Sequence, residues 1–571
     1  LVIFLSIFNI LNRTVLLLFV ITGTCLGTVF LFLKVKQYFS NKENPNINPF
    51  YYTLLIIAAF VLLTNITISG RPEFDFNDTQ VTYMVQPDRW LNNNHIHFIE
   101  ETVFSAFPMT SELLLTLPSA FASDRLDQMI LGQVFQMSML VSLCFILVSC
   151  MGFAKKWFPL VTLCVAGCPI LVLWSHVAKP DSTALLFLTT ALVILFRLIS
   201  DKKLTSKLDF SPFLLMALAL STKYTAYVGL VLFIPMVIVV YKKYAWNTRK
   251  IVSSVFVLLS IPAAFAIRTF FHTGTLFYPH TPFGLFTKTE WRMPEIVITY
   301  ITFNDRSSRF FPDVAFIQNI WHYFRVWGAS LYLLIAGAII NLCKSIKISS
   351  IVIYSGILAY SVLSLVLFYP SWWGAKYGIL LIPFACIVGL NKLKNMKHGF
   401  TLASIITLVS FTVYESPISP VEHYGFDYRI EILSSYIHGE WLVQNQQAIE
   451  YQTELKATMW MNGHIESDAR ILSFYYTKRY FSDHDWIIAW RYPVASRLFI
   501  DNTLEDEIQI LKSLDIDYVF ADSKNPVPFQ DEKIILIFSR IGSTRLLEPI
   551  IEIDGITLYR LNYRNDRMRA E

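Results

Sequence analysis

Residues 212–240 read PFLLMALAL-STKYTAYVGL-VLFIPMVIVV, an apolar run broken by the polar tetrad Ser221-Thr222-Lys223-Tyr224. A helix crossing a bilayer needs about 20 mostly apolar residues, so the run is too long for one plain span. A lysine in the middle of such a helix is also costly. The stretch is read as two shorter helices meeting at the tetrad, and that reading decides the topology. Further apolar segments lie at approximately 14–33, 51–69, 129–153, 157–174, 182–198, 251–267, 328–343, 351–369, 377–391 and 400–414, giving about 12 spans, or 13 if residues 1–11 end another helix. Lys34/Lys36/Lys42, Lys155/Lys156, Lys202/Lys203/Lys207, Lys242/Lys243/Arg249/Lys250, Lys344/Lys347 and Lys392/Lys394/Lys397 occupy every second connection. Loops rich in Lys and Arg stay cytoplasmic, and with a hairpin at 221–224 every one of these clusters falls on that face. The outer face then receives loop 70–128, the short turns 175–181, 221–224 and 370–376, loop 268–327 and the tail.

Composition points the same way. Of 571 residues, 54% are apolar or aromatic and only 16% are charged, against roughly 25% charged in ordinary soluble domains. The charge is unevenly placed: residues 415–571 hold 16 Lys/Arg and 25 Asp/Glu, whereas residues 1–414 hold 31 and 17. The first part has too little polar surface to cover a water-soluble core. A cytosolic enzyme, a disordered chain and a nucleic-acid binder are thereby excluded. The expected fold is mainly α, a polytopic transmembrane helical bundle over 1–414 in the cell membrane. An extracytoplasmic α/β domain is expected over 415–571. The 7 cysteines all fall in or beside apolar segments without a CxxC pair, so neither a disulfide-stapled tail nor a cysteine zinc site is expected. Residues 1–11 lack a basic start and a small-residue cleavage site, so they are not read as a signal peptide.

Candidate chemistry gathers on the outer face. Glu73, Asp75 and Asp78 follow closely on a membrane helix, where a carboxylate is costly unless hydrated, paired or used. Loop 70–128 continues through Arg89 and Trp90 to Phe107-Pro108 and an apolar stretch at 112–122, with Val81, Met84, Val85 and Leu113, Leu114, Leu117 at the spacing of helices lying in the interface plane. Lys179, Lys223 and Lys376 stand in short outer turns where the topology rule would not put a lysine, and Arg268 ends a span. Such cations suit a phosphate, for which Arg supplies a bidentate fork and Lys a point charge. The alternative for each alone is snorkelling to lipid headgroups. His95-Ile96-His97 with Glu100-Glu101 leaves a divalent metal open, but the spacing assigns no metal ligand.

Together these stretches resemble the GT-C superfamily of membrane glycosyltransferases, which includes protein O-mannosyltransferases, lipid A aminoarabinose transferases and bacterial relatives of glycosyltransferase family 39. The resemblance covers most of residues 50–415. It rests on Phe74-Asp75-Phe76-Asn77-Asp78, on Lys179-Pro180-Asp181-Ser182-Thr183-Ala184, on Ser221-Thr222-Lys223-Tyr224, on Arg268 through Thr273-Gly274 to Phe277-Tyr278-Pro279, and on Lys376-Tyr377 with Pro383. It departs from the family pattern at Asn77-Asp78-Thr79, Thr275 and Lys376. The resemblance implies a polyprenyl-phosphate-linked sugar as donor, a lipid, glycan or protein as acceptor, and chemistry at the outer face. It implies Asp78 as general base with Asp75 in reserve, and Arg268, Lys223, Lys179 and Lys376 as phosphate binders. Asp181 would orient Lys179 or touch the acceptor, and Tyr278 would line the substrate site. Direct displacement by the acceptor would invert the anomeric centre.

In the tail, helices are expected over Ala448–Met459 and Leu504–Leu514, strands at 470–475 and 518–521, and a final hairpin from Ile550–Ile553 to Ile556–Leu561 with Asp554-Gly555 as its turn and Pro549 marking its start. Two other function classes compete: a transporter or lipid flippase, and an outer-face glycan polymerase or ligase. The first predicts internal repeats with ionisable residues at the bilayer midplane, a pattern absent from this sequence. Asn65-Ile66-Thr67 and Asn77-Asp78-Thr79 match glycosylation acceptors.

Overall fold

Helix α1 (Pro49–Ser69) starts on a proline and carries no charged residue, so nothing along it opposes burial in hydrocarbon. The computed structural model describes residues 49–70, 83–200, 210–278, 287–297, 327–343, 347–368, 378–413, 426–438, 453–474, 479–522 and 546–563, except positions 101, 152, 154, 296 and 501. The span expected at 14–33, Glu73, Asp75, Asp78, Lys376 and the sequon at Asn77 lie outside these residues.

After α1 come two short helices of loop 70–128, α2 (Val85–Asn92) and α3 (Thr110–Ser119), then the long α4 (Arg125–Met151). The single span expected at 157–174 is instead a bent pair, α5 (Phe158–Val165) and α6 (Pro169–Ser175), with 71° between them. Pro169 lacks the amide that would continue α5. Gly167 permits the bend, since a Cβ there would sit 2.4 Å from the Leu163 carbonyl oxygen. Next are α7 (Asp181–Ser200), α8 (Ser211–Leu220), α9 (Leu230–Tyr244) and α10 (Thr248–Thr273). The bundle closes with α11 (Ala329–Leu342), α12 (Ile348–Phe368), α13 (Ile382–Leu393) and α14 (Gly399–Val413). Helices α11 and α13 pack backbone to backbone at Gly389, where a Cβ would meet the Leu333 carbonyl at 2.3 Å.

Among the described residues, six helices are long and apolar enough to cross a membrane, or seven with the bent pair. The chain is a multi-pass membrane protein. The break expected in 212–240 is present: α8 ends at Leu220, Lys223 is extended at φ −157°, and a 3-10 turn over Tyr224–Gly229 leads into α9.

Helix α15 (Phe426–Ile437) follows the membrane bundle and packs on α1. The boundary expected at residue 415 falls outside the described residues. Arg429 of α15 is buried, its Nη1 donating to Thr64 Oγ1 at 2.7 Å and to Asn65 Oδ1 at 2.6 Å. Asn65 in turn donates to the Ala166 carbonyl at 2.8 Å. The sequon at Asn65 is therefore corrected: its amide is fully buried and committed to internal hydrogen bonds, closed to a modifying enzyme in the folded protein.

The C-terminal unit holds α16 (Thr453–His464), α17 (Leu504–Ser513) and a five-stranded sheet of β1 (Arg470–Ser473), β2 (Asp485–Ile488), β3 (Tyr518–Asp522), β4 (Leu547–Ile553) and β5 (Ile556–Leu561), in the order β2-β1-β3-β5-β4. β1 runs parallel to β2 and β3, and β3, β5 and β4 are antiparallel neighbours. Asp554 (φ 49°) and Gly555 (φ 92°) make the expected hairpin turn, the left-handed pair that a two-residue loop requires. The first strand begins at Leu547, two residues before Pro549, which sits beside a bulge where its missing amide costs no ladder bond. Alternate residues face opposite sides. Ile471, Trp486 and Phe520 meet Ala457 and Met461 of α16, while Leu472, Ile487 and Val519 meet Ile508 and Leu511 of α17. That second core also takes in Val103 and Ala106 from loop 70–128 and Tyr278 and Trp291 from loop 268–327.

Replacing Arg429 by Leu strips Thr64 and Asn65 of a buried donor, each orphaned group costing about 1–3 kcal/mol. The variant should melt at a lower temperature in detergent and be cut more readily by protease between α14 and α15. An unchanged melting point would show that this arginine does not anchor α15.

Candidate active site

The helix break supplies the first charge. Ser221 and Thr222 return their hydroxyls to the carbonyls of Ala217 and Leu218, each at 2.7 Å, closing α8. The extended Lys223 then reaches Asp181, with Nζ 2.6 Å from Oδ1 and side-chain exposures of only 16% and 4%. Asp181 is the first residue of α7, where the helix dipole favours a negative charge.

Helix α3 is fixed to the same break, the Thr110 amide donating to the Ser221 carbonyl at 3.0 Å. Its buried face is the polar one: Thr110, Ser111, Glu112, Thr116 and Ser119 point inward with Leu115. A helix stands where one was expected, but its polar side is turned toward the protein, because its neighbours are polar too. Gln136 of α4 donates to Ser111 at 3.1 Å and accepts from Thr183 of α7 at 3.1 Å. Glu112 lies in this seam at 3% exposure, its Oε2 without a hydrogen-bond partner among the described residues. Burial raises its carboxyl to about 8, against the opposing pull of its own backbone amide and of Arg268 and Lys223. At neutral pH Glu112 is thus mostly protonated.

Arg268 lies in the last turns of α10, which ends on Gly274 in the left-handed conformation (φ 81°). Its guanidinium sits between the rings of Phe98 and Phe265, at 5.6 and 5.3 Å. Nη2 donates to the carbonyls of Phe107 (3.0 Å) and Ser105, Nη1 rests against Met109 Sδ, and Nε is buried without a partner among the described residues. Thr269 donates to the Ala106 carbonyl at 2.7 Å. Beside these groups lies a narrow cleft, lined by Pro108, Ser221, Tyr224, Tyr227, Phe265 and Phe277 among others.

Of the residues expected from sequence, Lys223 pairs with Asp181, and Lys223 and Arg268 both lie close enough for their charge to act on Glu112. Lys179 is buried, its ammonium 5.3 Å over the Trp174 ring. Tyr278 lies in the core shared with the C-terminal sheet, its hydroxyl donating to the Trp291 carbonyl at 3.0 Å and burial raising its phenol. The Asp75, Asp78 and Lys376 expectations fall outside the described residues. Among the described residues, no group of three or more His, Cys, Asp or Glu is placed to hold a metal. His95 and His97 face each other at 5.1 Å and bond locally to backbone. Glu112 was missed because it opens a stretch read as apolar. The recoverable signal is the polar stripe 112, 116, 119 at helical spacing in a membrane protein.

A family profile described as a domain of unknown function, DUF8201, matches residues 114–369. Among curated protein sequences no match is found. Two solved structures of ArnT from Cupriavidus metallidurans, one in the apo state and one bound to undecaprenyl phosphate, are similar at TM-scores of 0.52 and 0.51. Each match covers 90% of this chain and 98% of that one, at 9% and 8% identity. At such identity the likeness shows the fold alone: this chain is folded as those ArnT structures are.

A carboxyl raised by folding favours the folded state most below its unfolded value, near 4.3, and loses that advantage as pH rises to about 8. The Glu112→Gln variant should therefore melt increasingly above the parent between pH 5 and 8, with the gap levelling off beyond. A gap independent of pH would mean that Glu112 ionises as freely as in the unfolded chain.

Proposed function

We propose that this protein is a membrane glycosyltransferase that moves a sugar from a polyprenyl-phosphate carrier to a lipid, glycan or protein acceptor at the outer face of the membrane. The observation that carries this reading is the convergence of Lys223 and Arg268 beside Glu112, in a fold shared with an ArnT structure bound to undecaprenyl phosphate. With Glu112 protonated, the described residues of the pocket bring two cations, Lys223 and Arg268, and one ionised carboxylate, Asp181. A lipid phosphate matches those cations.

In the proposed reaction an acceptor hydroxyl or amine attacks the anomeric carbon. The bond from that carbon to the phosphate oxygen breaks, its electron pair leaves on the phosphate, and the acceptor proton passes to Asp78, with Asp75 in reserve. Arg268 and Lys223 stabilise the charge that grows on the leaving phosphate, more strongly in the transition state than before it. Glu112, protonated at neutral pH, is suited to donate a hydrogen bond to that same oxygen. Two carboxyls would thus divide the work in this proposal, Asp78 as base and Glu112 as neutral donor. A single displacement of this kind inverts the sugar.

Membranes supplied with a radiolabelled polyprenyl-phosphate sugar test this. Arg268→Gln should lower the turnover about 100- to 1,000-fold and Asp78→Asn about 100- to 10,000-fold. If Asp75→Asn were the inactive variant, the base would be Asp75. Translocation of the lipid-linked sugar without any covalent transfer would establish a flippase instead.

A further inference from the structure

The segment Val103–Phe107 has two working faces. Toward the C-terminal unit, Val103 and Ala106 are fully buried in one hydrophobic cluster with Leu472, Ile487 and Trp490. Phe104 meets Arg491, whose guanidinium carbon lies 4.8 Å over that ring and 4.4 Å over the ring of Trp490. Arg491 is only 1% exposed, a costly place for a cation unless aromatic faces receive it. On its other side the same segment offers its carbonyls to α10: Ser105 and Phe107 accept from Arg268, and Ala106 accepts from Thr269. The aromatic contacts continue from Phe104 to Phe107 at 5.1 Å and from Phe107 to Tyr224 at 5.4 Å, next to Lys223.

We infer that Phe104 and Arg491 are positioning residues: by clamping the strap Val103–Phe107 to the C-terminal unit, they set the carbonyls that aim Arg268. This rests on the reading of Arg268 as a phosphate contact. The physical basis is that a close-packed strap transmits displacement instead of absorbing it. Hydrogen bonds from a guanidinium weaken steeply once their angles fall away from linear. Loosening the Phe104–Arg491 stack therefore lets the three carbonyls drift, and the orientation of Arg268 drifts with them. Neither residue touches the ligand.

The test uses the purified full chain in detergent, titrated by native mass spectrometry with undecaprenyl phosphate and, separately, with uncharged undecaprenol. Phe104→Leu and Arg491→Lys, which keep bulk and charge but lose the stack, should weaken binding of the phosphate lipid about threefold to thirtyfold and leave binding of the alcohol unchanged. Phe104→Tyr keeps the ring and should bind both as the parent does. The inference is overturned if Arg268→Gln loses the phosphate lipid while Phe104→Leu and Arg491→Lys keep it. It is equally overturned if those two variants lose both lipids along with their melting transition, which marks a merely structural role. If Arg268→Gln itself binds the phosphate lipid undiminished, what fails is the proposed function and not the clamp.

Discussion

The contact between Lys223 and Asp181, 2.6 Å long and mostly out of water, is the constraint around which this part of the bundle is arranged. An unpaired lysine at membrane depth costs about 2.5–3.5 kcal/mol on insertion scales. A break after α8 lets the lysine leave the helical path, and the N-terminus of α7 presents a carboxylate to meet it. The pair fixes α7 against α8, and the Thr110 amide on the Ser221 carbonyl then fixes α3 to both. Removing either partner would take from the other, in a mostly buried setting, the counter-charge 2.6 Å away, and that costs more than the pair itself contributes.

From that arrangement follows the proton on Glu112. The seam between α3, α4 and α7 pairs its hydroxyls and amides among themselves, through Ser111, Gln136 and Thr183, and among the described residues none donates to Glu112 Oε2. Its own backbone amide and the fields of Arg268 and Lys223 offset only part of the desolvation of a carboxylate there, and desolvation wins. An anion arriving beside the two cations would raise the carboxyl further, since like charge disfavours its ionised form.

The sequence made the cations legible because they break a pattern: Lys223 interrupts an apolar run and Arg268 closes another. Asp554-Gly555 was legible because few dipeptides accept two left-handed residues in succession. Periodicity alone hid three things. The bend at Gly167 was invisible because α5 and α6 are apolar on all sides. Glu112 was lost because four leucines flank it within α3. Arg429 reads as an ordinary arginine of a soluble tail, and only its distant partners Thr64 and Asn65 reveal that it is buried. Hydropathy reports how apolar a segment is, whereas these three depend on what the segment packs against.

The C-terminal sheet is likewise no separable appendage. Its core is completed by Val103, Ala106, Tyr278 and Trp291 from the two long loops, so undocking would expose apolar surface on both sides. An ionic seam reinforces this: Arg89 meets Asp485 at 2.6 Å, Arg470 approaches the same carboxylate at 3.0 Å, and Arg125 meets Asp483 at 2.9 Å. Burial alone would raise the Asp485 carboxyl, yet Arg89, Arg479 and Arg470 outweigh it and hold it below the ordinary range. Its contribution is therefore present above the unfolded value near 3.9 and lost only as pH falls through a lower one. Asp485 thus stays ionised across the physiological range, and the docking of sheet on loop depends there on salt more than on pH. Because α2, α3 and the strap all lie in the loop so held, what fixes the sheet also fixes the floor of the site.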